Sequence, residues 1–170
     1  LDFKARPSII ADFNCVLPIR TGIYDNVISL NTLEHIEKES TLIEEMLRVL
    51  KPQGKLFILV PFLYRIHGNP FDFHRHTARW WGEKLLSSGV DPDSLKIEPL
   101  VWCPDTTAFS LVEFQRFRLL RKKMVMLKAL TKHIFLGNRK RLPASLASIY
   151  ADFPTGYFIT ARKPVQKQPR

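Results

Sequence analysis

The chain has 170 residues, of which 45% are hydrophobic and 25% charged, and a formal net charge of +10. That length suits one domain with a sizeable core, and the composition is that of a soluble globular protein. Cys15 and Cys103 are too few and too far apart for a disulfide framework or a zinc site, and no apolar run reaches the roughly eighteen residues of a membrane-crossing helix, so a cytoplasmic setting is expected.

In chain order, Leu1–Phe3 reads as the end of a strand that delivers Asp2, and a chain opening on Leu1 suggests a piece truncated at its N-terminus. Arg6-Pro7 resets the backbone before Ser8–Ala11, a short β-rich run that ends at Asp12. A carboxylate at such a strand end offers two acceptor oxygens to the two hydroxyls of a ribose, although a solvated loop Asp has the same spacing. Phe13 either lies against a flat ring or joins the core.

Asp25–Leu30 is a short apolar run that predicts a strand buried on both faces, and Asn31–Glu37 then turns polar. Leu42, Ile43, Met46, Leu47 and Leu50 recur at helical spacing, with Glu44, Glu45 and Arg48 opposite. Lys51, Pro52 and Gly54 end that helix, Lys55–Val60 is a second buried strand and Pro61 stops it. Two parallel strands joined by one helix form a right-handed crossover, and such sheets bind ligands beyond the carboxyl ends of their strands. This places the rim of a site at Asn31–Glu37 and at Pro61–Arg75. Those loops and the adjoining His76 carry four of the five histidines, together with Glu34, Asp72 and Arg75.

The stretch Phe62–Thr77 is aromatic and rich in histidine without sustained periodicity, as expected of a lid or acceptor pocket. His67 or His74 could act as a general base near neutral pH, and the planar fork of Arg75 suits a carboxylate or phosphate. Asp72 and Arg75 could equally pair with each other and fix the loop. Glu34, His35, His67 and His74 lack compact ligand spacing, so no metal site is expected.

Thr77 opens a helix with Trp80, Trp81, Leu85 and Leu86 as its buried stripe and Ser88-Gly89 as its end. Leu95–Trp102 reads as a strand, and Phe109–Leu136 as a long helical region. Residues 114–151 contain ten Lys or Arg and no Asp or Glu, while the other sixteen basic residues balance sixteen acidic ones. The helical region 109–136 could therefore lie peripherally on an anionic membrane, dock an anionic acceptor or pack on the sheet with its cations in water. No RNA-module pattern accompanies it, and nucleic acid is not expected as a partner. Gly137–Pro143 is a basic hinge, Tyr157–Arg162 an edge or near-edge antiparallel strand, and Pro164–Arg170 a polar tail.

The succession Asp12, Leu17-Pro18, Tyr24-Asp25-Asn26-Val27, LEHI at 33–36 and EEMLRVLKPQGKLFILVP at 44–61 resembles the class I S-adenosylmethionine-dependent methyltransferases of the type 11 group. HGNPFDFHRHT at 67–77 resembles one branch of that group. The resemblance implies an α/β, Rossmann-like sheet that lacks the family's first strand and glycine-rich loop and carries a helical insertion before its last strand. It divides the chain into a partial core (1–107), a basic insertion (108–150), the final core strand (151–164) and a tail (165–170). The implied cofactor is S-adenosylmethionine and the implied acceptor a small molecule or a lipid- or glycan-linked group; without the glycine-rich loop this stretch alone should bind cofactor poorly. Residue by residue, Asp2 matches the ribose-binding acid, Asp12 with Phe13 the pair beside the adenine, and Asn31 the loop near the methionine part. His35 matches a position facing the transfer site and joins His67 and His74 as catalytic candidates, with Asp72 and Arg75 on the acceptor side. A degenerate, non-catalytic fold used for association is the alternative.

Overall fold

The computed structural model describes residues 7–68, 71–101 and 152–165. Its strands are β1 (Tyr24–Leu30), β2 (Leu50–Pro61), β3 (Lys96–Leu100) and β4 (Gly156–Arg162), and its helices are α1 (Glu39–Val49) and α2 (Ala78–Ser87). The strands form one sheet in the order β1-β2-β4-β3. Strand β1 pairs with β2 in parallel, with Val27 opposite Leu56 and Leu30 opposite Leu59, as the crossover reading requires. The sheet and its helices belong almost wholly to one compact unit made of residues 1–62, 66–98 and 157–170. A second unit takes residues 63–65 and 99–156; among its described residues, Thr155 donates from its amide and its hydroxyl to the Leu100 carbonyl.

Helix α1 buries Leu42, Ile43, Met46 and Leu47 and exposes Glu44, as its 3.6-residue periodicity dictates. Those side chains share a core with Leu56 and Ile58 of β2, Leu85 of α2 and Ile159 of β4. The Thr77 hydroxyl accepts the Trp80 amide at 3.3 Å and caps α2, so the expected start of that helix is correct. Trp81 and Leu85 are buried, but Leu86 is exposed, because a ten-residue helix on one sheet face buries a narrower stripe than the apolar residues suggest.

Several expectations need correction. Ser8–Ala11 forms no strand; the segment is irregular and its first three residues are exposed. Strand β1 is not buried on both faces: Ser29 is its one fully buried residue, and Ile28 and Leu30 are 65% and 56% exposed. Among the described residues β1 is the edge of the sheet, and apolar composition cannot reveal whether a neighbour covers it. Strand β2 begins at Leu50 rather than Lys55, directly after α1. The turn chemistry of Lys51–Gly54 is therefore absorbed as an irregularity in the β1/β2 pairing. Gln53 adopts a left-handed φ of 64°, and a Cβ on Gly54 would stand 2.8 Å from the Lys51 carbonyl oxygen and 3.2 Å from that of Asp25. Strand β4 lies between β2 and β3, next to the edge of the described sheet, as the near-edge expectation has it. It runs antiparallel to β2: the Lys163 amide donates to Gly54, the Gln53 amide donates to Lys163, and further along Phe57 stacks on Phe158. The expected helical region 109–136, the hinge at 137–143, the whole insertion 108–150, the tail from 166, and Asp2 lie outside the described residues.

Candidate active site

The chain leaves β1 through Asn31, whose φ of 47° turns it sharply and whose amide donates to the Leu59 carbonyl at 2.9 Å. This bond joins the carboxyl ends of β1 and β2, so the two loops share a rim. A single 3-10 turn at Leu33–His35 follows, with Leu33 completely buried and Glu34 only 2% exposed. The later segment 71–76 then runs along residues 34–39. His35 Nδ1 donates to the Phe71 carbonyl at 2.5 Å, the Phe73 amide to the Glu34 carbonyl at 2.7 Å, and His74 Nε2 to the Ile36 carbonyl at 3.1 Å. Two loops far apart in sequence are thereby zipped into one wall.

Their side chains collect in two groups. In the first, Glu34, His35 and His67 bring potential ligand or proton-accepting atoms within 4.8 Å of one another, and the His35 and His67 rings lie 5.1 Å apart, edge to face. Neither carboxylate oxygen of Glu34 has a hydrogen-bond partner in another residue, and burial raises its pKa, while its own backbone amide, His35, Arg75 and His67 pull in the opposite direction. Behind this group Arg75 forks onto Asp72, with Nη2 to Oδ2 at 2.6 Å and Nη1 to Oδ1. Asp72 Oδ2 also accepts the His67 amide at 2.9 Å and lies 3.3 Å from His67 Nδ1. The side chain of Asp72 is 3% exposed, and Arg75 together with the His67 amide holds its pKa below the ordinary carboxylate value against desolvation. This is the mutual pairing that sequence spacing left open. It locks His67 in place.

The second group is Glu39, His74 and His76. His74 therefore stands apart from His35 and His67, and the three histidines expected to act together divide two to one. His76 lies flat on Trp80 with ring centroids 3.5 Å apart.

On the cofactor side, Asp12 is exposed and accepts the Asn14 amide at 2.9 Å and the Asn14 side-chain nitrogen at 3.1 Å; that amide bond lowers its pKa first. Asn14 Oδ1 in turn accepts the Lys38 amide, which ties the Asp12 turn to the loop between His35 and α1. Phe13 beside it is 41% exposed, an available ring face. Asn31 contributes its turn, and Asp2 lies outside the described residues. The sequence reading passed over Glu34 as a site residue. Its signal was a carboxylate set between Leu33 and Ile36, two residues that a one-turn helix carries into the core. A separate cleft of about 480 Å³ opens beside Lys55, Phe57, Asp91 and Arg162, at the other end of β2. It contains none of these groups.

Residues 3–58 match the family model described as a methyltransferase domain. Three solved structures are similar along most of the chain. The [4+2]-cyclase SpnF has 22% identity and a TM-score of 0.53 over 91% of this chain and 54% of its own. The complex of the Haloferax volcanii Trm112 methyltransferase activator with its methyltransferase has 15% identity and a TM-score of 0.53 over 92% and 61%. An S-adenosylmethionine-dependent methyltransferase from Mesorhizobium loti has 15% identity and a TM-score of 0.52 over 90% and 67%. The fold is that of the class I methyltransferases. The chain spans 54% and 61% of the first two of these relatives, and one of the three is a cyclase, so the methyltransferase fold leaves the reaction to be argued from the site. Comparison with curated protein sequences gives no match.

Proposed function

We propose that this methyltransferase fold serves S-adenosylmethionine-dependent methyl transfer to a small-molecule or lipid- or glycan-linked acceptor. The observation that carries the reading is the Glu34–His35–His67 group, held at the shared rim of two parallel strands where such sheets bind ligands. The residues present suit the cofactor: Asp12 is an exposed acceptor for donor groups of a nucleoside, and Phe13 offers an apolar face next to it. The cofactor would supply an already reactive methyl group on a sulfonium centre.

This chain's residues then have three tasks. The zipped wall of 34–39 and 71–76 positions the acceptor, and position alone can contribute much of the rate gain. An acceptor O–H or N–H loses its proton as the new bond to the methyl carbon forms, and the electron pair of the breaking bond stays on sulfur. His35 takes that proton on Nε2, because Nδ1 is committed to the Phe71 carbonyl. Glu34 lies 3.7 Å from that same nitrogen and stabilises the imidazolium that results. Asp72 and Arg75 act on the acceptor side through His67, which they hold; Arg75's fork is already filled. Asp2 and Asn31 keep their expected places in this scheme at the ribose and the methionine part, while His74, expected as a catalytic candidate, is assigned to the wall because its Nε2 lies on the Ile36 and Glu37 carbonyls. The basic stretch 109–136 would meet an anionic acceptor or membrane surface.

A second reading has its own support. Exposed Ile28 and Leu30 on β1, the edge strand among the described residues, suit association through that part of the sheet. Calorimetry of the full-length protein separates the two. Methyl transfer expects saturable heat with S-adenosylhomocysteine, weakened at least about tenfold by Asp12→Ala. His35→Ala should leave that binding intact and lower kcat by about 10²–10⁴-fold, the usual contribution of a positioned base. Absence of heat would leave the association reading in its place.

A further inference from the structure

We infer that Glu39, His74 and His76 form a binding site for a single divalent transition-metal ion of the zinc type, separate from the Glu34–His35–His67 group. The local sequence explains how the ligands converge. His74 and His76 lie two apart on a segment without regular structure, and their rings stack with centroids 5.3 Å apart, which puts them on the same side. Glu39 is the first residue of α1, a rigid element facing that segment.

Three observations point to a cation. First, Glu39 is 6% exposed, and its Oε2 is buried with no hydrogen-bond partner, so a charged group is half satisfied in a site that water does not reach. Among the described residues its ion-pair partners are two histidines, and no lysine or arginine neutralises it.

Second, His74 spends Nε2 on the Ile36 and Glu37 carbonyls, at 3.1 and 3.3 Å. A carbonyl only accepts, so that nitrogen carries the proton. In the neutral ring Nδ1 then points a lone pair at Glu39 Oε1 across 3.9 Å. Either a second ring proton or a metal ion between these two acceptors would remove their repulsion. A metal-bound histidine characteristically gives its other N–H to a backbone carbonyl.

Third, the separations are of the right size. Bonds of about 2.0–2.2 Å at a tetrahedral angle place neighbouring ligand atoms about 3.4 Å apart. His76 Nε2 lies at hydrogen-bond distance, 2.7 Å, from Glu39 Oε1, a contact that an ion would replace by displacing the ring proton, while Glu39 and His74 stand 3.9 Å apart and all three ligand atoms lie within 4.8 Å. Stacking on Trp80 already fixes the His76 ring. Two histidines and one carboxylate are a zinc ligand set that leaves a fourth position open.

The Glu34–His35–His67 group has the same ligand types but differs in charge. Arg75 acts on Glu34 there, so a fixed cation is already present.

The test is equilibrium dialysis of the untagged protein against Zn²⁺ alone, repeated with Co²⁺ to read the ligand set from its visible spectrum. One Zn²⁺ per chain and a Co²⁺ band of a four-coordinate nitrogen- and oxygen-ligated centre are expected. Glu39→Gln and His74→Ala should each weaken Zn²⁺ binding by more than about 100-fold, the upper end of what removing even a ligand's supporting partner costs. His35→Ala should leave the affinity unchanged. If Glu39→Gln does not fold, the partly exposed His74 carries the same comparison. The inference is overturned if Zn²⁺ fails to bind stoichiometrically, if affinity survives His74→Ala, or if it is lost in His35→Ala. A Co²⁺ spectrum with a sulfur charge-transfer band would overturn it too, because it would move the ion to Cys15 or Cys103.

Discussion

At the scale of single residues, Glu34 and Glu45 are both buried carboxylates and behave in opposite ways. Desolvation by burial raises the pKa of Glu34, outweighing its own backbone amide and the nearby His35, Arg75 and His67. Glu45 is held below its ordinary value, first by the Arg48 side chain. For Glu34 the unfolded chain gives up its proton at lower pH than the folded chain. Stability contributed by this residue therefore falls as pH rises from about 4.3 towards the folded pKa. Urea melts at about pH 4.5 and pH 7.5 should show a decline in wild type that Glu34→Gln lacks, while the same substitution lowers methyl transfer. An unchanged pH difference would remove Glu34 as a strained carboxylate.

At the scale of elements, Glu45 and Arg48 join α1 to the irregular segment before β1. Glu45 accepts the Leu17 amide at 2.7 Å, and Arg48 donates to the Ile19 and Leu17 carbonyls at 2.8 and 3.1 Å. The side chains meet one turn apart, with Arg48 Nε to Glu45 Oε1 at 2.6 Å. The spacing of EEMLRV explains the pair, but its partners in the segment 17–21 lie some thirty residues away, and periodicity carries no information about them. Because the folded pKa of Glu45 is depressed, its stabilisation is present above about pH 4.3 and lost as pH falls through the folded value. Glu45→Gln should therefore lower the denaturation midpoint at neutral pH and flatten the loss of stability between about pH 5 and pH 3. Ile43, wholly buried beneath the same helix, gives the scale of a pure packing loss: Ile43→Ala should cost about 2–5 kcal/mol in urea unfolding.

At the scale of the whole molecule, the sheet order among the described residues leaves β1 at an edge, with Ile28 and Leu30 exposed. An apolar edge with free backbone groups invites pairing with another chain. Light scattering of the 170-residue chain should show self-association that rises with concentration, and Ile28→Lys should reduce it by placing a charge on that edge. Equal scattering from the two would mean that the edge is covered.

How much of this was legible in advance differs by feature. The β1–α1–β2 crossover could be read because local spacing sets the type of each element, though not the burial of β1, and the Thr77 cap because capping is a contact within four residues. The rim could be read as a place, since parallel strands deliver their loops to one side. What could not be read was which histidine meets which carboxylate. His35, His67, His74 and His76 have similar loop settings in sequence, yet hydrogen bonds between residues 34–39 and 71–76 sort them into two groups, and Asp72 turns to Arg75 instead of outward.

Local periodicity, capping and turn residues thus determined, from the sequence by itself, an α/β crossover with a polar rim and the type of fold it builds. Only the tertiary structure decided that Glu34 is buried without a partner, that β1 is exposed, and that Glu39 faces two histidines. Burial and pairing across a gap of thirty or more residues depend on how two loops pack against each other, and no residue carries that distance in its own spacing.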